Sequence, residues 1–249
     1  MVTSFVHGAG PLIRKLERLI RLDDDERRAL DQLPLRVATF DPGQEIVRQG
    51  DKPQQCVAVL EGFCSASKIV GDGGRQIVSF HIPGDIPDLQ SLHVAEMDVS
   101  LTALTQTRIL LIQHEDARRL CAQSLRITHA FWRETLIAGA IAKEWVVNIG
   151  QRDALTRVAH LFCETIARLD VVGLADDYRC HFPVTQEKLG EAMGLSTVHI
   201  NRTLQELRGR GLISWERGVL EAHRWEDLQQ VGDFDPGYLS LAPDWVVLR

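Results

Sequence analysis

The segment 185–204 constrains the fold more than any other part of this chain. Its pattern predicts a first helix that begins at Gln186, carries the small Gly190 where a second helix would cross it, and ends at Gly194. A tight turn at that end needs a positive φ, which glycine adopts at little cost. Thr185 and Ser196 stand where the N-caps of the two helices belong. The apolar positions that would close the wedge between the helices are Leu189, Leu195, Ile200 and Leu204. The segment therefore predicts a helix-turn-helix, a unit that can place its second helix in the major groove of DNA.

The residues that follow predict a β-hairpin. The stretch 212–222 reads as two short strands about a turn at Glu216–Gly218. Helix, helix and hairpin together are typical of a winged helix-turn-helix. The alternative is an ordinary helical hairpin with a glycine C-cap, and the agreement of several positional constraints with the wing disfavours it.

Composition allows two globular domains. The chain has 249 residues, of which 45% are hydrophobic and 25% charged. No apolar run approaches the roughly 20 residues of a membrane span, and the start Met1–His7 lacks the features of a secretory signal. The net charge of −6 argues mildly against a nucleic-acid partner. The predicted second helix and its end nevertheless hold Arg202, Arg208 and Arg210 against Glu206 alone.

The rest of the chain divides into segments of different hydrophobic periodicity and turn content. Residues 11–22 carry a helical apolar stripe, and Asp23–Glu26 opens a second short helix with acids at the positive end of its dipole. From Arg36 onward, short β-rich runs are separated by glycine turns, which predicts a small antiparallel barrel or jelly roll. The clearest of these runs are 56–60, 76–80, 101–104 and 108–112.

Glycine and proline become rare after Gln113, which predicts a long helix over residues 114–150 and a further one over 154–169. A small β domain cannot cover the whole of a helix this long. We therefore expect a second subunit to cover it, and the alternative is a core helix buried within its own chain. The residues expected at the dimer contact recur at helical intervals: Ile127, Phe131, Ala138, Ile141, Trp145 and Ile149. The tail 232–249 is irregular but apolar, so we expect it to pack against the protein.

Over residues 11–231 the chain resembles the CRP/FNR family of bacterial transcription regulators. The most specific stretches are Gly50–Asp51 with 60–62, 81–85, 150–154 with 157–159, and 184–212. The resemblance implies an α+β fold with four parts. These are N-terminal helices and a cyclic-nucleotide-binding-like β-roll (1–113), a dimerisation helix (114–150), a winged helix-turn-helix (151–231) and a C-terminal tail (232–249). It also implies a homodimer on a palindromic operator.

Family members that bind cyclic nucleotides carry a Gly-Glu pair, whose glutamate holds the ribose, and a later arginine that pairs with the cyclic phosphate. Here the pair is Gly84–Asp85, and the arginine region reads Glu96-Met97-Asp98-Val99-Ser100. Two carboxylates would face a phosphate without an arginine fork to neutralise it. We therefore expect neither cyclic AMP nor cyclic GMP.

Other cofactors also fit poorly, so none is predicted. No cysteine precedes Cys56, whereas the iron–sulfur branch of the family needs three near the N-terminus. Haem is disfavoured because lone histidines in a β-roll are usually ordinary polar residues; the candidates are His81, His93, His114 and His129. Five scattered cysteines, an odd number, fit a reducing cytoplasm, and inert thiols are the default with a redox role as the alternative. An unknown small molecule, or no ligand at all, remains.

By position in the family motif, the base-facing candidates are Thr197, Val198, Asn201 and Arg202. Arg202 can pair with guanine O6 and N7, and Val198 can contact a thymine methyl. Well-studied members carry glutamate in place of Val198, so we expect a different half-site. Further DNA-binding candidates are Thr185, Gln186, Ser196, His199 and Arg217, of which His199 is expected to face backbone or solvent and Arg217 a phosphate.

The leading hypothesis is a cytoplasmic homodimeric transcription regulator, with RNA polymerase as a further candidate partner and no membrane contact. The alternative is a ligand-binding regulatory module that acts on a protein partner. An enzyme is disfavoured because the sequence shows no catalytic carboxylate pair, metal-spaced His/Cys set, nucleophile elbow or Walker loop.

Overall fold

The computed structural model describes residues 10–241 except 35 and 72. The described chain forms two compact units. The first comprises residues 10–64 and 81–136, and the second comprises residues 65–80 and 137–241. No helix among the described residues is long and apolar enough to cross a membrane.

Two amphipathic helices begin the first unit. Helix α1 (Gly10–Leu19) buries three leucines along one face. Helix α2 (Asp24–Asp31) begins at the N-cap Asp23, whose side chain accepts from the backbone N–H of Glu26, while the Glu26 carboxylate accepts from the backbone N–H of Asp23. The predicted acidic helix start is therefore a complete capping box.

Seven strands follow, and the four runs predicted from the sequence are all present. They are β1 (Arg36–Phe40), β2 (Glu45–Val47), β3 (Gln55–Glu61), β4 (Cys64–Ile69), β5 (Arg75–His81), β6 (Ser100–Ala103) and β7 (Thr107–Gln113). The sheet orders are β1-β7-β3 and β2-β6-β4-β5. In the first sheet β7 pairs antiparallel with both neighbours, with Leu110 opposite Val37 and Ala58. This is the β-roll that the turn spacing predicted.

The predicted helix over 114–150 is two helices, α3 (His114–Gln123) and α4 (Leu125–Gly150). The break lies at Ser124, which has an extended backbone with φ −135° and ψ 114°. Its hydroxyl accepts from the backbone N–H of Ile127 at 3.1 Å and so caps the start of α4. The sequence prediction missed this boundary because no glycine or proline marks it.

The second unit holds the predicted winged helix-turn-helix. Its elements are α5 (Ala154–Val171), β8 (Ala175–Asp176), β9 (Arg179–His181), α6 (Gln186–Met193), α7 (Thr197–Gly209), β10 (Ile213–Glu216), β11 (Val219–Ala222) and α8 (Trp225–Gly232). The strands form one sheet in the order β10-β11-β9-β8. The predicted hairpin therefore belongs to a larger sheet.

The described part of the C-terminal tail packs as expected. A short 3₁₀ helix (Pro236–Leu239) places Tyr238 flat against His160, with ring centroids 5.9 Å apart. Phe234 and Leu239 are buried. Residues 242–249 of the predicted tail lie outside the described residues.

Candidate nucleic-acid interface

Helix α6 begins and ends as the sequence predicts. The Thr185 hydroxyl accepts from the backbone N–H of Lys188 at 3.2 Å and caps the start of the helix. At the other end, Gly194 adopts a left-handed conformation with φ 65° and ψ 35°. This conformation reverses the chain toward α7, and a residue with a Cβ would be strained there.

The crossing of α6 and α7 depends on Gly190. A Cβ added to this residue would lie 2.5 Å from the carbonyl oxygen of Leu195 and 3.8 Å from the side chain of Ile200. The backbone N–H of Leu195 also donates to the carbonyl of Gly190 at 3.0 Å, which holds the turn against the helix. The sequence expectation that only a small residue fits at the crossing is confirmed.

Helix α7 has one buried and one exposed face. Ser196 caps it, since its hydroxyl accepts from the backbone N–H of His199 at 3.3 Å. The buried face consists of Ile200, Thr203, Leu204 and Leu207. The exposed side chains near the start of the helix are those of Thr197, Val198, Asn201 and Arg202, and 80% of the surface of Val198 is exposed. These four share a face because they lie three and four positions apart.

The arginines of this segment have different roles, which the sequence alone did not separate. Arg208 donates to the carbonyl oxygen of Trp215 at 2.7 Å and so ties α7 to β10. Arg210 pairs with Glu206 one turn earlier on the same helix. Within the described part of the chain, Arg202 has no ion-pair partner, so its guanidinium is the one left to meet a ligand.

The wing hairpin turns at Arg217 and Gly218, both with positive φ, at 50° and 77°. Two successive residues with positive φ match the right-handed twist of a two-residue hairpin. Arg217 is exposed at the tip. Strand β11 pairs with β10 along one edge and with β9 along the other, where Leu220 lies opposite Cys180. The sequence prediction missed β8 and β9 because strands of two and three residues carry no readable alternation.

The helix predicted for dimer contact presents a different face from the one expected. Ile127, Phe131, Ile141 and Trp145 are at most 8% exposed and pack within the chain's own interior. Of the six predicted contact residues, Ala138 and Ile149 are exposed. A second stripe on α4 is open instead, and its largest apolar members are Leu125, Trp132, Leu136 and Val146. Four of the six predicted contact residues are therefore covered by their own chain, and the dimer contact itself stays a prediction.

A buried ion group lies in the first unit. The ammonium of Lys15, on α1, donates to carboxylates of Asp85 and Glu134. Asp85 also accepts from the backbone N–H of Ile82 at 2.9 Å, and His81 lies 3.7 Å from it. Burial lowers the pKa of Lys15, but the two carboxylates outweigh burial and raise it above its ordinary value. No local sequence pattern indicates this group, because Asp85 and Glu134 lie 70 and 119 positions from Lys15.

Comparison with known proteins identifies both halves of this architecture. Residues 37–124 match the family model of the cyclic nucleotide-binding domain, and residues 156–231 match that of the Crp-like helix-turn-helix domain. The chain belongs to the CRP/FNR family of transcription regulators. As a CRP/FNR protein it is a DNA-binding regulator and not an enzyme.

Individual relatives in the CRP/FNR family are distant. The transcriptional activator protein FnrL of Cereibacter sphaeroides is 23% identical over 96% of this chain and 98% of its own length. The nitrogen fixation regulation protein FixK of Rhizobium meliloti is 25% identical over 73% of this chain and 79% of its own. The structure of FixK2 from Bradyrhizobium japonicum superposes with a TM-score of 0.71 at 20% identity, covering 80% of this chain and 98% of that one. This likeness shows a shared fold.

The family's nucleotide-binding domain implies a cyclic nucleotide, and the residues of this CRP/FNR protein do not fit one. The carboxylate of Asp85, which would have to meet the ribose, is bound by Lys15 and Ile82 of its own chain. The segment 96–100, where a phosphate-binding arginine is expected, contains none, and its Glu96 pairs with Lys52 at 3.0 Å. A cyclic phosphate would therefore lack the arginine fork there.

Four of the five cysteines and the candidate His114 are buried. Cys56, Cys64, Cys163 and Cys180 are buried free thiols. Burial raises the pKa of Cys56 and of Cys180 to about 12, which disfavours the reactive thiolate form of both. The buried His114 lies 2.9 Å from the hydroxyl of Ser91. The described residues contain no group of three or more His, Cys, Asp or Glu side chains that could hold a metal ion.

Proposed function

We propose that this CRP/FNR regulator binds a palindromic operator as a homodimer and reads base pairs with the exposed start of α7. The observation that carries this proposal is the set of four side chains at residues 197, 198, 201 and 202. They are exposed on one face of a helix whose partner helix is locked in place by Gly190. A rigid helix with an exposed, mixed polar and apolar face suits the major groove.

Three residues of this face have distinct parts in the proposed reading of base pairs. The unpaired guanidinium of Arg202 can donate to O6 and N7 of one guanine, and Val198 offers a methyl surface to thymine. The amide of Asn201 donates to the carbonyl of Thr197 at 3.2 Å, which fixes the direction in which its oxygen can accept. Val198 cannot accept a hydrogen bond from cytosine, so the half-site differs from those read by members with glutamate there.

Contacts to phosphate orient the helix pair. Thr185 and Ser196 lie at the N-termini of α6 and α7, where free backbone N–H groups and the helix dipole attract anions. Gln186 follows the first cap, and His199 lies half-buried beside the second. Arg217 at the wing tip would reach a neighbouring phosphate. These contacts add affinity without sequence preference.

The homodimer that we propose uses the exposed stripe of α4. In this stripe Leu125 and Trp132 are seven residues apart, and Val146 follows after two further intervals of seven, with the small Gly139 between. A seven-residue apolar repeat is the pattern by which two helices pack along a seam. The exposed fractions are 70% for Leu125, 64% for Trp132 and 71% for Val146, which is costly for a monomer in water. A second copy of the same helix would cover them.

For the effector, we propose a small molecule other than cyclic AMP or cyclic GMP, or none, and no haem or iron–sulfur cluster. The support is the occupied carboxylate of Asp85 and the acidic segment after it. RNA polymerase in the cytoplasm is the further partner that we propose for an operator-bound regulator.

Selection from a pool of randomised DNA duplexes by the purified protein tests the function. We expect a two-fold symmetric consensus. Arg202→Ala should cost about 1–3 kcal/mol on that sequence and relax the preference at one base pair of each half-site. Arg179→Gln, which removes the same charge from an exposed position in β9, should retain the full base preference.

Two results would contradict the proposal. An equal loss of affinity by Arg202→Ala on selected and random DNA would refute base reading by Arg202. Failure of the wild-type protein to enrich any sequence would instead favour a regulatory module that acts on a protein partner.

A further inference from the structure

The C-terminal end of α6 is held by a side chain from outside the helix pair. Arg157, on α5, donates from Nη1 to the carbonyl oxygen of Met193 at 2.5 Å. Its Nη2 donates to the carbonyl of Ile149 at 3.0 Å and to that of Arg152 at 2.9 Å. One guanidinium thus joins three backbone segments of the second unit.

The three acceptors are all at ends of segments. Met193 is the last residue of α6, Ile149 lies in the last turn of α4, and Arg152 lies in the connection between α4 and α5. The final carbonyls of a helix have no partner within the helix, and a cation there is favoured by the helix dipole. The planar fork of arginine fixes the direction of each bond, which a lysine ammonium cannot do. Arg157 therefore satisfies three backbone carbonyls and also orients the segments that carry them relative to one another.

The groups on either side of Arg157 are held by further ion pairs and hydrogen bonds. Arg152, which supplies one acceptor, is itself fixed by Glu144 at 2.6 Å and Asp233 at 3.0 Å. On the α6 side, the amide of Gln76 donates to the carbonyls of Glu191 at 2.9 Å and Ala192 at 3.2 Å. A Cβ added at the turn residue Gly194 would lie 3.9 Å from Nη1 of Arg157. The last turn of α4 and the turn of the helix pair are therefore joined by hydrogen bonds to one side chain, and the groups around that side chain are themselves hydrogen-bonded.

We propose that Arg157 is a positioning residue that sets the separation at which the two copies of a dimer read their half-sites. The inference rests on the proposed function as a homodimer on a palindromic operator. In that dimer the paired α4 helices fix the distance between the copies, and the angle between the last turn of α4 and α7 decides where each recognition helix meets the groove. Half-sites must then lie at one spacing, close to a whole number of DNA turns.

The test uses duplexes built from the consensus that the wild-type protein selects, with the spacer between half-sites shortened or lengthened by one base pair. Affinities of the full-length wild-type protein, Arg157→Gln and Arg157→Lys are measured on all three duplexes and on a single half-site. We expect the wild-type protein to discriminate against the altered spacers. Both variants should lose about tenfold of that discrimination, the equivalent of one hydrogen bond to a charged group, while their affinity for the single half-site stays close to that of the wild type. Arg179→Gln is the matched control for loss of charge and should discriminate as the wild type does.

The outcomes separate positioning from a general structural role. If Arg157 only stabilised the unit, the variants would bind all duplexes more weakly by the same factor, and unchanged discrimination would overturn the proposal. If Arg157→Gln fails to fold by circular dichroism, Arg157→Lys decides alone, because it keeps the charge and loses the fork. If the wild-type protein reads a half-site but shows no spacing preference, this inference fails and the DNA-binding function stands; if it selects no DNA at all, both fail.

Discussion

Replacing Gly190 by alanine should separate α6 from α7 and so disable the reading of DNA. The new Cβ would lie 2.5 Å from the backbone oxygen of Leu195, well inside the 3.4 Å at which ordinary contact begins. The obstacle is backbone, so no side-chain rotation can relieve it. Overpacking of this kind costs about 1–3 kcal/mol, and the better helix propensity of alanine returns about 1 kcal/mol. We expect a net loss of up to about 2 kcal/mol in the free energy of unfolding.

Urea denaturation followed by circular dichroism measures that loss, and fluorescence anisotropy on the selected operator measures its effect on binding. The operator affinity of Gly190→Ala should fall at least about tenfold, since a shifted α7 misaligns several base contacts together. Gly209→Ala is the matched control: this glycine is also helical, at the end of α7, and nothing lies within 4 Å of its added Cβ. The control should be as stable as the wild type or slightly more so. A Gly190→Ala protein with wild-type stability and operator affinity would refute the reasoning.

Three further changes test other parts of the structure. Burial raises the pKa of Asp88 to about 7, so its ionisation is disfavoured in the fold and stability is lost as pH rises from the unfolded value toward 7. Asp88→Asn should remove this penalty and gain about 2 kcal/mol relative to the wild type between pH 5 and pH 7 in urea titrations, and a pH-independent difference would contradict it. Trp132→Glu should convert the dimer to a monomer in analytical ultracentrifugation, whereas Val94→Glu, another exposed apolar position, should not; a Trp132→Glu dimer would exclude this stripe. In the native protein Cys121, the half-buried thiol, should react with iodoacetamide before the buried Cys56, as peptide mass spectrometry would show, and the reverse order would contradict the burial argument.

Local patterns predicted most of the fold. The strands β3, β5, β6 and β7 were found because each is an apolar run ended by a turn, and the helix pair because glycine, cap and apolar positions agree over one short segment. The features that the sequence did not predict have no such local pattern. Ser124 separates α3 from α4, because its backbone is extended and its hydroxyl caps the start of α4. A lone serine in a helical stretch does not predict such a break.

The sequence predicted which residues of the candidate site are exposed, but not which of its arginines are paired. Thr197, Val198, Asn201 and Arg202 are exposed as a recognition face requires, since helical spacing alone decides which residues lie opposite the buried leucines. Whether an arginine is free depends on acceptors that folding brings to it. Arg208 meets a carbonyl seven positions later in a strand, and the side chain of Arg157 reaches a carbonyl 36 positions away. These partners cannot be read from charge counts along a helix.

Helix α4 shows why helical periodicity alone does not decide which apolar face of a helix is exposed. It carries two apolar stripes: one includes Ile127 and Ile141, which are buried, and the other includes Trp132 and Val146, which are exposed, and the two residues of each pair are 14 positions apart. Both satisfy the same helical spacing, so the sequence supplies no reason to prefer either for the partner. The distinction comes from the chain's own packing, which covers the first stripe and leaves the second open. The described residues of this chain cover only the first of these two apolar sides. In the homodimer that we propose, a second copy would cover the exposed stripe.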